Sequence, residues 1–346
     1  MKVKELMSQL GVCNPESQIS VTVVNDDSID YDLPINGIEI AGGRLSIVTE
    51  PYLPKQRTVS WSKKNDATIV ELIEYCLNCA PPNRLSNDSI LILEDNNGCV
   101  TSDWLPTPPD DKTYYDVLSA ILHMESHHRR KFIRDLDYIR VTDSDGETFD
   151  LVANIDTYTG FPDGEGGVIG HHIDFISKNL YQDRCPMRPW DSNRGSRALH
   201  NPFMSSGTMT QFLTTRSSRL PFTIKDHIIN KRVKVPIRYK GEEDTGAIWV
   251  DLGSNSGGLW LPFYREIWGG DYGDYETASN LVQYPSLNGT ADGQRLKYRN
   301  GFANDWWTAS AYTGDSDDFI TVGTNGGSSS YYSGNAIGIP LCFRFK

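Results

Sequence analysis

The chain of 346 residues carries seven histidines, six cysteines and 45 acidic residues, and chemistry would require some of them to be spaced so that they act together. His171 and His172 are adjacent, as are His127 and His128. Neighbours on an extended segment point to opposite faces, so neither pair holds one metal ion, and both read as loop or edge residues. The only CxxC motif, CLNC at 76–79, lacks a second ligand pair at zinc spacing and reads as two cysteines on the apolar face of a helix end. Cys13, Cys99, Cys185 and Cys342 are scattered and suggest no disulfide framework. Asp315, Asp317 and Asp318 crowd three carboxylates into GDSDD (314–318). Such oxygens suit calcium, but the loop lacks the twelfth-position glutamate of an EF-hand, and a solvated acidic loop is the preferred reading. GxSxG, HExxH, P-loop and GxGxxG motifs are absent. No spacing singles out a glycosidase carboxylate pair. The sequence therefore assigns no catalytic residue, no metal ligand and no cofactor.

Recognition is better served. Residues 310–335, SAYTGDSDDFITVGTNGGSSSYYSGN, are rich in Tyr, Ser, Gly and Asn. Tyrosine gives large amphipathic contact area with few rotors, and small polar residues adapt and hydrogen-bond. Tyr312, Tyr331 and Tyr332 are candidate contact anchors, with Asp315, Asp317, Asn325 and Asn335 as hydrogen-bonding partners. GGDYGDYE (269–276) adds Tyr272 and Tyr275. The alternative is that these loops only connect. Trp306 and Trp307 precede the run and an apolar strand follows it, so its ends are expected to be fixed.

The elements that would position these residues change character along the chain. Helical periodicity marks 2–10, 67–77 and 114–122. Each helix is followed by a short β run (ISVTVV, ILILED, YIRVTD), an acidic turn, and a second β run (GRLSIVTE, weakly GCVTSDW, ETFDLVAN). Asp145-Gly146 is the clearest hairpin turn. These read as helix–strand–strand units, or as a coincidence of common patterns. The boundaries placed on this basis are a first unit at 1–65, a second at 66–112, and a larger domain at 113–346 with its core at about 140–346. Proline-rich or polar connectors lie at 51–65 and 103–112. Beyond about 135, helices become rare. Two short ones are expected within 207–228, the first capped by Ser206 or Thr208 and the second following Pro221. Strands are expected at RVKVPIRY, AIWVDL and LWLPF. In the last strand Ile337, Ile339, Leu341, Phe343 and Phe345 share one face, and Pro340 implies an edge or a bulge.

Composition excludes other classes. The net charge is −12 and 38% of residues are hydrophobic. A nucleic-acid binder would show a basic footprint, and the one basic run, HHRRKFIR at 127–134, is short and reads as a solvated helix end or partner contact. No secretory signal is read at MKVKELMSQLGV, and no run approaches a membrane span. Export would then proceed by another route, such as lysis.

Seven motifs in order, NPFMSSGTMTQFL, LPFTIKDHIINKRVKVP, GLWLPFYREIWG, QYPSL, DWWTAS, ITVGTNGG and IGIPLCFRF, resemble the C-type-lectin-like domain of unknown function common in phage and bacterial proteins. That family is related to formylglycine-generating enzymes and retroelement variable proteins. The resemblance covers roughly 140–346 and implies an α+β fold: small N-terminal αβ units, then a mixed sheet with two helices and long loops. It implies that the terminal strand is central and that Trp306 and Trp307 anchor the core. The formylglycine activity uses paired cysteines in the C-terminal portion, where this chain has Cys342 alone, so that activity is disfavoured. The function implied is a non-catalytic, virion-associated bacteriophage protein, a capsid or tail decoration or receptor-binding adhesin. Its N-terminal region would contact other virion proteins. Its C-terminal domain would bind a host-surface glycan or protein, in a homo-oligomer assembled in the host cytoplasm, without nucleic acid or membrane insertion. A retroelement-diversified loop is a variant of this reading. An intracellular interaction protein and an enzyme on the same fold are the alternatives.

Overall fold

A computed structural model describes residues 35–41, 44–49, 69–79, 90–94, 100–102, 104–188, 207–236, 247–270, 279–289, 294–312 and 318–346. The helix expected at 2–10 and the ISVTVV strand lie outside them. Strands β1 (Ile35–Ala41) and β2 (Arg44–Thr49) form an antiparallel hairpin. RLSIVT pairs with INGIEIA, from which only Gly42-Gly43 separates it in the chain, so a short loop closes the hairpin.

Helix α1 (Ile69–Asn78) buries Leu72 and Cys76, and is followed by β3 (Ile90–Glu94) and β4 (Val100–Thr101), an antiparallel pair. Helix α2 (Tyr114–Leu122) opens with a capping box. Asp116 N–H donates to Thr113 Oγ1 (3.2 Å), and Thr113 N–H donates to Asp116 Oδ2 (2.7 Å). One-turn α3 (Ser126–Arg129) leads to β5 (Tyr138–Thr142) and β6 (Thr148–Ile155). The hairpin expected at Asp145-Gly146 forms, with Gly146 left-handed at φ 85°. Asp143 Oδ1 accepts the N–H groups of Asp145 (2.9 Å) and Glu147 (3.0 Å) and closes the turn. HHRRKFIR is not simply a solvated helix end: Arg129, Phe132 and Ile133 are buried.

Strand β3 lies parallel to β5, so the 90–94 run extends the sheet that begins at 138. Strand β7 (Ile173–Leu180) pairs antiparallel with β6. Helix α4 (Thr208–Arg219) is capped by Gly207, whose N–H donates to Thr210 Oγ1 (2.6 Å); Thr208 is its first helical residue, not its cap, and Ser206 lies outside the described residues. Helix α5 (Phe222–Lys225) follows Pro221 as expected. Next come β8 (Ile228–Ile229) and the antiparallel pair β9 (Lys231–Pro236) and β10 (Ala247–Leu252). LWLPF is not a strand. It makes an isolated bridge, Leu259 to Phe343, and runs extended into α6 (Tyr264–Trp268).

Strands β11 (Tyr298–Arg299) and β12 (Phe302–Ala303) are joined by Asn300-Gly301, both at positive φ (53° and 79°), as a type I′ hairpin requires. Strands β13 (Trp306–Ala311), β14 (Asp318–Val322) and β15 (Ser328–Tyr332) form a separate antiparallel sheet. Strand β16 (Pro340–Phe345) lies between β7 and β8 in the main sheet, with a register irregularity between Pro340 and Cys342. Every residue of β16 is buried, so both faces are interior. The architecture is mixed α and β. One contiguous apolar core runs from Leu72 of α1 to Phe345 of β16 and includes the fully buried Trp260, Trp306 and Trp307.

Candidate functional site

The scaffold beneath the tyrosine-rich segment is fixed by charges that have left water. In the β7–β16 pair Arg344 lies opposite Asp174, and its Nε and Nη2 donate to Oδ1 (2.7 Å) and Oδ2 (2.8 Å). Tyr284 OH donates to the same Oδ2 at 2.8 Å. At the start of β9 the Lys231 ammonium pairs with Glu266 of α6 and lies 3.9 Å from the Trp260 ring centroid. Tyr158 OH donates to Glu266 as well, and Glu266 Oε2 accepts the Phe263 N–H (3.0 Å). Asp174, Arg344, Lys231 and Glu266 are all essentially inaccessible. Burial alone would raise the Asp174 pKa, but Arg344 beside it holds the carboxyl well below the usual range. His172, 3.8 Å from Asp174, is pushed down to about 4, first by burial and then by Arg344. Two cations thus face two carboxylates around a neutral imidazole. The group is satisfied and closed to solvent, and it ties β7, β9, β16 and α6 together.

Two tryptophans anchor the outer sheet to this scaffold. Trp306 Nε1 donates to the Arg295 carbonyl (3.0 Å) and Trp307 Nε1 to the Cys185 carbonyl (2.8 Å). From that fixed end β13 runs out to Ala311, which lies opposite Phe319. Tyr312, one residue further, donates its N–H to the Asp318 carbonyl (2.9 Å), and Asp318 lies opposite Tyr332. Residues opposite each other in antiparallel strands share a face. Tyr312, just past β13, therefore lines up with Asp318 of β14 and Tyr332 of β15 in one row, each half-buried. Ser330 Oγ lies 3.4 Å from Asp318 Oδ2.

The structure divides the residues that the sequence grouped. Asn335 lies in the turn that follows β15, where its N–H donates to the Tyr332 carbonyl (2.9 Å). Tyr331 faces the other way. It lies opposite Phe319, packs on the core and donates its hydroxyl to Asp305 Oδ2 (2.9 Å), which raises its pKa. Asn325 is exposed at the closed end of the β14–β15 hairpin, where its Oδ1 accepts the Gly327 N–H (3.0 Å). Tyr272, Tyr275, Asp315 and Asp317 lie outside the described residues. Asp318, which the sequence offered only as an acidic-loop member, is the centre of the row. Its signal was its place as the polar first residue of the short β-branched and aromatic run DFITV.

The described side chains offer little else for covalent or metal chemistry here. Burial pushes the Cys76, Cys185 and Cys342 thiols up to about 12, which leaves them as inert core residues. Among the described residues no group of three or more His, Cys, Asp or Glu side chains is placed to hold a metal ion, and no helix is long and apolar enough to cross a membrane. What the row can do is stack two phenol rings on a ligand around a carboxylate that accepts hydrogen bonds. Comparison with family models, with curated proteins and with solved structures returned no match.

Proposed function

We propose that this chain is a non-catalytic display protein of C-type-lectin-like fold, carried on a bacteriophage particle, that binds a host-surface glycan or protein through the Tyr312–Asp318–Tyr332 row. The observation that carries the binding reading is the row itself. Two half-buried tyrosines flank a carboxylate at the outer end of a three-stranded sheet whose first strand starts from two buried tryptophans. Aromatic faces stack on the apolar faces of sugar rings or on peptide groups, and an acceptor between them fixes orientation through hydroxyl or amide donors. Rigid mounting lowers the ordering cost of binding. The particle, the attachment through the N-terminal region and the homo-oligomeric state rest on the seven-motif resemblance.

The test is a glycan-array and host-cell binding assay with the full chain, alongside mass spectrometry of purified particles. Tyr312→Ala and Tyr332→Ala should each weaken binding roughly tenfold or more, as expected for central aromatic contacts, with an unchanged melting temperature. Asn325→Ala, at the far end of the hairpin, should have no effect. Binding that survives the double tyrosine substitution would remove the row from the reading. Absence of the chain from particles would remove the phage placement.

A further inference from the structure

We propose that His123 and His171 form a two-imidazole site for a first-row transition-metal ion of the Zn²⁺, Cu²⁺ or Ni²⁺ type, with water completing its coordination. His127-His128 and His171-His172 are adjacent in the sequence, but the fold makes a different pair from residues 48 apart. The His123 and His171 rings lie edge to face with centroids 6.2 Å apart. His123 is exposed and His171 is half-exposed, so both are open to an ion from solvent.

Each ring has its Nδ1 against an oxygen acceptor, the arrangement that metal-binding imidazoles commonly use. His123 caps the end of α2, with its Nδ1 2.9 Å from the Ser119 carbonyl oxygen. His171 Nδ1 lies 3.0 Å from Asp156 Oδ2. Both acceptors require the proton on Nδ1, which leaves the Nε2 lone pair as the ligand atom of each ring. Asp156 is held at every oxygen. Oδ1 accepts from Thr159 Oγ1 (2.8 Å) and the His172 N–H (3.0 Å), and Oδ2 pairs with Arg129 Nη1 (2.6 Å). The same Nη1 donates to the Leu122 carbonyl (3.1 Å), immediately before His123. Buried Arg129 thus ties together the two segments that carry the histidines. Arg129 Nη1 also lies 3.2 Å from His171 Nδ1, and because Arg129 cannot release a proton, both groups donate to Asp156. Asp156 adopts a left-handed backbone (φ 56°), a conformation uncommon outside glycine and over-represented at functional sites. Imidazole nitrogen selects borderline metals over calcium or magnesium. With two protein ligands, the remaining positions stay open to water or to a ligand.

The experiment is calorimetric titration of the full chain with ZnCl₂, with the electron paramagnetic resonance spectrum of the Cu²⁺ form as a count of bound nitrogens. One ion per chain is expected, with superhyperfine splitting from two imidazoles. His123→Ala and His171→Ala should each weaken binding at least tenfold and leave one coupled nitrogen, at an unchanged melting temperature. Asp156→Asn, a positioning change, should keep both nitrogens and weaken affinity about 10- to 100-fold. Affinity and spectrum unaltered by both histidine substitutions would overturn the assignment. So would a site lost on His127→Gln or His128→Gln instead.

Discussion

His172 shows how burial turns an ordinary titratable group into a pH liability. Its folded pKa of about 4 lies below the free value of 6.5. The unfolded chain therefore binds the proton first as pH falls, and stability present above about pH 6.5 is lost toward pH 4. A shift of this size corresponds to about 3 kcal/mol. His172→Asn should flatten the dependence of the urea midpoint between pH 6.5 and 4. It should leave a steeper loss at lower pH, where Asp174, depressed by Arg344, becomes protonated. An unchanged slope in that variant would assign the effect to another group. Arg344→Met strands the Asp174 charge in the interior and should cost about 3–5 kcal/mol, measured by denaturant titration. Replacing both members with apolar residues should cost much less.

Two glycines make the physics of the elements separable. Gly301 sits at φ 79° with nothing within 4 Å of where a Cβ would be. Gly301→Ala should therefore cost about 1–2 kcal/mol through backbone conformation alone. Gly338 does not have a left-handed backbone, but a Cβ there would lie 2.7 Å from the Asp305 carbonyl oxygen and 2.5 Å from Leu180 Cδ1. Gly338→Ala should cost about 1–3 kcal/mol through crowding, and Leu180→Ala should partly relieve it, because one of the two obstacles is then gone. Non-additivity in that pair, read from thermal or denaturant unfolding, is the expected outcome. The β11–β12 hairpin was legible in principle, since Asn-Gly is the strongest short turn signal. The Tyr114–Leu122 helix was legible because its period and its Thr113/Asp116 cap agree. LWLPF reads as a strand in sequence and is not one in the fold, because an apolar run states burial and not pairing. Leu259, Trp260 and Leu261 are all buried without belonging to a strand.

At the scale of the whole molecule, the parallel β3–β5 pair and the continuous core join α1 to the C-terminal strand. Cys76 in α1 and Cys342 in β16 report on its two ends, both as buried free thiols. Their exposure to a thiol reagent in rising denaturant should follow the tryptophan fluorescence transition with one midpoint. A lower midpoint for Cys76 would mean that the 66–112 segment unfolds on its own. The three-stranded sheet that carries Tyr312 and Tyr332 is joined to this core through Trp306 and Trp307. Trp307→Ala should cost about 3–5 kcal/mol and weaken binding through loss of the mount, whereas Tyr312→Ala should weaken binding alone.

The sequence by itself determined the mixed α and β character, the positions of elements such as Ile69–Asn78, Tyr114–Leu122 and the terminal strand, and the polar aromatic composition of residues 310–335, because each is written in local period, turn chemistry or composition. Only the tertiary structure decided partners. It turned Tyr331 inward to Asp305, aligned Tyr312 and Tyr332 on Asp318, set Arg344 against Asp174, and brought His123 to His171. Strand register and long-range packing make those pairings. A charge inside an apolar strand or a histidine at a helix end does not say in sequence which distant group it will meet.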